Sequence, residues 1–140
     1  MQFKEASLPI RERLIAVLSE IIYGNELVPL YDYRAPVVPA WIILGQINQT
    51  EFTRTKGGCI TYECETQIKC GFQFPAGSIS RLQVNELAEI VLSRLNEKDL
   101  SNSTITFMTM RLTNTFTQTE DEDDHTLVVQ NLIITFFVEL

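Results

Sequence analysis

The sequence predicts an α+β domain: a mainly antiparallel sheet, two helices packed on one of its faces, and a long protruding hairpin. Two observations lead there. Apolar residues recur at helical spacing in two separate stretches, while the remaining stretches alternate or run apolar as strands do. Their order along the chain is α, β, β, β, α, β, β, which suits an antiparallel sheet with its helices on one side. At 140 residues the chain is expected to be a single domain, 1–140, large enough to bury a core without metals or disulfides.

The first helix is expected over Ser7–Tyr23. Ser7 serves as N-cap, Pro9 sits in the tolerated first turn and Gly24 stops the helix. Leu14, Val17, Leu18, Ile21 and Ile22 form its apolar stripe. Arg11 and Arg13 oppose the helix dipole and read as solvated side chains on the outer face. Leu27–Tyr31 is a short strand, and Pro29 makes it an edge. Asp32–Pro39 is a proline-punctuated loop. Trp41–Ile47 is apolar almost without interruption, as in a strand covered on both faces. Gln46–Gly58 is polar, threonine-rich and closed by Gly57-Gly58, so it forms the distal part of the hairpin.

Cys59–Phe72 is the organising strand. With a period of two, Ile60, Tyr62, Cys64, Thr66, Ile68, Cys70 and Phe72 share one face, and Glu63, Glu65, Gln67 and Lys69 the other. At the rise of an extended chain it would reach roughly 45 Å, twice a typical strand, so it is expected to outgrow the core as an arm. After a loop at Gln73–Ser80, a second helix is expected over Arg81–Asn96, with Val84, Leu87, Ala88, Val91 and Leu95 as its buried stripe. Thr104–Thr117 and Thr126–Glu139 are the last strands, joined by an acidic tip at Glu120–His125. In the final strand Leu132, Ile134, Phe136 and Val138 alternate with Asn131, Ile133, Thr135 and Phe137. Ile133 and Phe137 therefore face away from the helices, and a partly apolar outer face is a candidate association surface.

Hydrophobic residues make up 45% and charged residues 21%, the composition of a soluble globular chain. No apolar run is as long as a membrane span and the N-terminus lacks a signal-peptide core, so synthesis in the cytoplasm and no membrane association are expected. The net charge of −7 is local: five of the 18 acids are Glu120, Asp121, Glu122, Asp123 and Asp124, and the rest nearly balance the 11 bases. No basic stripe exists to read nucleic acid. The run has neither the glycine nor the distant glutamate of a calcium loop, and reads as a solvated hairpin tip that repels DNA phosphates and adds nothing to folding. Cys64 and Cys70 lie about 20 Å apart along one strand, beyond disulfide or chelation reach, and Cys59 points to the opposite face. These are structural thiols of a reducing compartment.

Catalysis finds no support. The single histidine, His125, sits beside the acidic run on a hairpin tip, which offers no sheltered base to a nucleophile. Fingerprints for a nucleophile elbow, a phosphate loop or a dinucleotide site are missing from the sequence. The expectation is a protein without catalytic residues, metal or cofactor.

The succession VPLYDYRAPVVPAWIILG, TKGGCITYECETQIKC, PAGSISRLQVNELAEIVLSRL and HTLVVQNLIITFFVEL, behind an amphipathic N-terminal helix, resembles the tail terminator, or tail completion, proteins of tailed bacteriophages. The resemblance covers most of the chain and rests on element order and local pattern. It implies a sheet flanked by helices, and subunits that assemble into a ring, generally a hexamer. Such a ring caps the tail tube and docks to the head connector, or occupies a related station in the neck. The implied partners are copies of the chain itself, the tail tube protein, the connector or adaptor, and DNA passing through the lumen without specific binding. The implied location is the virion, after synthesis in a bacterial host.

Under that resemblance Phe52, Arg54 and Lys56 on the hairpin are neighbour contacts, joined by Ile133 and Phe137 of the outer face. Glu120 to Asp124 become a lumen or rim feature. The Gln46–Gly58 segment has little to bury, so it is expected to order, and to lose its trypsin sites, only on assembly. The competing reading is a cytosolic adaptor or small-ligand-binding domain that uses its outer sheet face.

Overall fold

The computed structural model describes residues 7–31, 39–54, 60–75, 81–97, 100–101, 106–121 and 124–139. Within them the elements are α1 (Ser7–Leu18), β1 (Ile22–Tyr23), β2 (Glu26–Leu27), β3 (Leu30–Tyr31), β4 (Ala40–Arg54), β5 (Ile60–Pro75), α2 (Arg81–Glu97), β6 (Thr106–Asp121) and β7 (His125–Glu139). The fold is α+β, as expected. Five strands form the main sheet in the order β3-β4-β5-β7-β6. All its pairs are antiparallel except β3 with β4, where Leu30 lies beside Ile42 and Tyr31 beside Ile43.

β5 follows the period-two reading closely. Ile60, Tyr62, Cys64, Thr66, Ile68, Cys70 and Phe72 are all buried, and Glu63, Glu65, Gln67 and Lys69 are exposed or half-buried. The inner face is covered by α1, which packs on β4, and by α2, which packs on β5 and β7. Val84, Leu87, Ala88, Val91 and Leu95 join that core from α2, and Leu14, Val17 and Leu18 from α1. At one end Phe72 stacks on Phe74 and takes the edge of Tyr23; further along, Phe107 tilts onto Phe136. Edge-to-face and offset rings add to the area they bury.

The structure corrects four readings. First, α1 ends at Leu18, five residues before the expected stop at Tyr23. The Ser19 hydroxyl donates to the Ala16 carbonyl, and Gly24 and Asn25 both take positive φ, 61° and 67°. Two such residues make the turn of a tight hairpin, so Ile22 and Tyr23 pair with Leu27 and Glu26 and do not continue the helix. Ile21 still reaches the core, but Ile22 is 57% exposed.

Second, Arg11 and Arg13 are not free in solvent. Arg11 donates to the carbonyls of Gly45 (2.8 Å) and Leu44 (3.2 Å), and Arg13 to that of Leu100 (3.2 Å). The pairing of β4 with β5 slips between Leu44 and Ile47, a bulge that turns carbonyls away from the ladder. Arg11 and the Thr66 hydroxyl, which donates to Gln46, supply what the ladder no longer does.

Third, β5 does not outgrow its partners. β4, β6 and β7 have matching lengths, and β7 accompanies β5 from Thr61 to Pro75. The described part of the long hairpin is paired through to Arg54 opposite Ile60, and Ile60 and Tyr62 belong to the core. The excess length is absorbed by a large sheet, where each long strand satisfies the backbone of the next. Residues 55–59, which include Lys56 and the turn expected at Gly57-Gly58, lie outside the described residues. Fourth, Ile133 and Phe137 point to the outer face but are half-buried, because β5 and β6 flank β7 along its length.

Candidate functional site

The outer sheet face, the one turned away from the helices, is organised at one end by Trp41. The register sets Trp41 beside Gly71, and Gly71 beside Val129. A side chain at position 71 would put its Cβ within 2.2 Å of the indole ring, so Gly71 is what lets Trp41 lie flat across β5. Ile43, Leu127 and Val129 surround the ring and line a hollow of about 570 Å³, with Lys69 and Glu120 among its walls. The continuous apolar run around Trp41 is the sequence signal for this patch, since an apolar residue on both faces needs two covers. Its exact partner, a glycine thirty residues away, is set by register alone.

Beside the hollow the face is polar and closely bonded. Asn131 is fully buried on β7, yet both ends of its amide are used. Gln67 donates to its oxygen (2.7 Å), and its nitrogen donates to the Gln118 side chain (3.1 Å) and the Phe116 carbonyl (3.4 Å). One amide ladder thus crosses β5, β7 and β6. On the inner face Gln130 makes a similar bridge to Thr115 and Thr117 of β6. Satisfied networks of this kind fix register more than they add stability.

Ile133 and Phe137 sit further along the same face. Gln67 and Asn114 flank Ile133, and Glu63 and Thr109 flank Phe137. They are therefore brought together on one side of β7, each between polar neighbours. The other expected contact residues are not brought to them: Phe52 and Arg54 lie on β4 near the hairpin end, where the backbone alone is described, and Lys56 falls outside the described residues.

The acidic segment is a hairpin tip, but part of it is built into the strands. Glu120 and Asp121 end β6, Asp124 precedes β7, and Glu122 and Asp123 lie outside the described residues. The buried Thr126 donates to Asp121 (3.0 Å), and the exposed Asp124 carboxylate meets His125 at 2.6 Å. Asp121 therefore has a structural part that the reading of a tip irrelevant to folding omitted. Among the described residues no cluster of His, Cys, Asp and Glu is arranged to hold a metal. No described helix is long and apolar enough to cross a membrane.

Cys64 and Cys70 are both fully buried on the inner face. Burial pushes the Cys70 thiol up to about 12, so it stays protonated and unreactive at neutral pH. Tyr23 is also raised, first because its hydroxyl donates to Glu86 (2.8 Å), a bond that favours the protonated phenol, and then by desolvation and the Glu86 charge.

Sequence reasoning found β6 as a strand, over Thr104–Thr117, but missed that it runs on to Asp121 and forms an exposed edge. From Arg111 to Asp121 every described residue of this strand is exposed, Leu112 and Phe116 among them. It is the last strand of the sheet, and the helices pack mainly on β4, β5 and β7. Alternation in TMRLTNTFTQTED signals a strand but does not tell an edge from a centre.

No protein-family model matches the chain, and no curated protein matches it in sequence. Among solved structures, the fold is similar to that of a chain in the virion of a native gene transfer agent particle. The superposition has a TM-score of 0.58 at 12% identity, and covers 94% of this chain and 92% of the other. At that identity the likeness is one of fold.

Proposed function

We propose that the protein is a structural component of a phage-type virion, one copy of a ring at the head-proximal end of a tail or in the neck. In this reading the ring caps the tail tube and joins it to the head connector. The observation that carries the proposal is the fold shared, over nearly the full length of both chains, with a gene transfer agent virion chain. The surface supports it, because the conspicuous features are an outer sheet face, an exposed edge strand and an acidic tip, none of them a catalytic arrangement. Ile133 and Phe137 are proposed contacts between copies, and Glu120 to Asp124 a lumen or rim feature that repels passing DNA.

Native mass spectrometry of the purified chain, with electron microscopy, tests this. A closed oligomer, six copies in the simplest case, is expected. Phe137→Glu is expected to weaken it and leave a folded monomer. A wild-type chain that stays monomeric at all concentrations, and is absent from purified particles, overturns the reading. The hollow beside Trp41 favours a second reading, an adaptor or small-ligand domain. Under that reading a monomer would show a ligand-dependent change in the emission of its single tryptophan.

A further inference from the structure

We infer that copies of this chain join as knob and hollow: Ile22 and Leu27 on the β1–β2 hairpin of one copy enter the hollow beside Trp41 on the outer sheet face of the next. The inference names the surfaces of the ring proposed above and so rests on that reading. It starts from two features that a lone chain leaves unmatched. Ile22 and Leu27 are 57% and 62% exposed, and they stand directly opposite each other on the two short strands. Single exposed aliphatic residues are ordinary on a surface, whereas two large ones side by side form a patch for a partner to cover. The hollow is the second feature, an apolar depression on the opposite face of the molecule.

The hairpin is held in place before any partner arrives. Neighbours along a strand alternate sides, so Tyr23 and Glu26 take one side of the ribbon and Ile22 and Leu27 the other. Tyr23 turns inward, its ring edge against Phe72 and its hydroxyl donating to Glu86. Gly24 and Asn25 close the tip, and the Val28 N–H donates to the Ile21 carbonyl at the base. A two-stranded ribbon is marginal alone, so these anchors are what keep the apolar pair pointing outward. A contact that is ordered in advance loses less entropy on association.

The hollow matches the hairpin in chemistry and in position. Trp41, Ile43, Leu127 and Val129 give it apolar walls, and about 570 Å³ is the size of pockets that hold a small molecule, enough for two aliphatic side chains. Trp41 pairs with Gly71, the residue before Phe72, so hollow and hairpin lie at the same end of the sheet on opposite faces. Rotation about an axis along the strands preserves that level and sets the helix layer of one copy against the outer face of the next. Charge favours the same pairing. Glu20 and Glu26 border the knob and are exposed, and Lys69 is the basic wall of the hollow. Its acidic wall, Glu120, stands two strands across and four residues along from Lys69, on the order of 15 Å away, so an acid seated at Lys69 avoids it. Knob and hollow are different surfaces, and the contact is therefore heterologous, the kind from which rings are built.

Two variants, each broken on one side, test this. The first carries Ile22→Thr and Leu27→Lys, which spoil the knob and leave the hollow intact. The second carries Leu127→Lys, whose side chain fills the hollow beside Glu120 and leaves the knob intact. Ile22 and Leu27 are exposed and Leu127 is half-buried, so both variants are expected to melt close to the wild type. Val129→Gln replaces Leu127→Lys should the latter fail to fold. By native mass the wild type is expected as a closed oligomer, and each variant alone as a monomer. Their equimolar mixture is expected to give a dimer with one copy of each and nothing larger, because it holds one working knob for one working hollow. A wild-type ring together with a folded variant that still assembles alone overturns the inference and leaves the ring standing. A mixture that stays monomeric does the same. A monomeric wild type sinks the ring and this inference together.

Discussion

Arg11 shows how a single side chain links two layers of this fold. Its guanidinium leaves α1 and reaches carbonyls that the β4 bulge has turned out of the ladder. Hydrogen bonds from a charged group contribute about 1.5–3 kcal/mol, and unmet carbonyls cost about as much. Arg11→Met is therefore expected to lower stability by about 2 kcal/mol in urea unfolding. Arg11→Lys should restore only part of it, because a lysine cannot fork onto two carbonyls. An unchanged midpoint for the methionine variant would show that water serves those carbonyls equally well. Cys70 makes a second prediction, on pH. Burial pushes its folded pKa up to about 12, above the ordinary thiol value of 9.0. The associated stability is fully present below pH 9 and is lost as pH rises from there toward 12. Tyr23, raised in the same sense, acts in the same direction. The melting temperature is expected to hold to pH 9 and fall above it, and Cys70→Ala should flatten that fall. Thiol reagents are expected to leave Cys64 and Cys70 unmodified until the chain unfolds; rapid labelling of the native protein would contradict the burial argument.

At the scale of elements, strand pairing depends on the fit of faces that neighbouring strands impose on each other. Trp41 lies across Gly71 because β4 and β5 meet in one register, which shifts at the bulge around Gly45 and Gln46. Gly71→Ala would drive a methyl group into the indole. Overpacking of this kind costs roughly 1–3 kcal/mol. The variant is expected to lose stability in that range and to shift the tryptophan emission, since the ring must lift from β5. Pairing it with Trp41→Leu should recover most of the loss, so that the two changes together cost less than their separate effects imply. Additive losses would mean that the ring and the glycine are not in contact.

For the whole molecule, the charge distribution matters more than the net charge of −7, since five acids gather at one hairpin tip. Asp121 bonds the buried Thr126, so it is left in place. Replacing Glu120, Glu122 and Asp123 with serine is expected to leave stability within about 0.5 kcal/mol, as for surface changes elsewhere. The same variant should retain more DNA on a column at low salt, an effect that added salt removes. Equal retention by both proteins would separate the tip from any role beside DNA.

The sequence by itself determined the elements and the faces of the sheet. Each inward residue of β5, from Ile60 to Phe72, and each stripe residue of α2 could be read off, because burial on one side leaves a period of two or of 3.6 in the chain. It also showed Pro29 marking an edge and the acids marking a tip. Tertiary structure alone decided the rest. Helix α1 stops early because Gly24 and Asn25 turn a hairpin whose strands must be closed by Leu27, a pairing that helical periodicity does not contain. Arg11 found carbonyls created by a bulge more than thirty residues away. Trp41 found a glycine, and β6 found itself at the edge, through strand order. Periodicity reports which side of an element is buried, whereas register, bulges and edges are relations between elements, and these exist only once the strands have met.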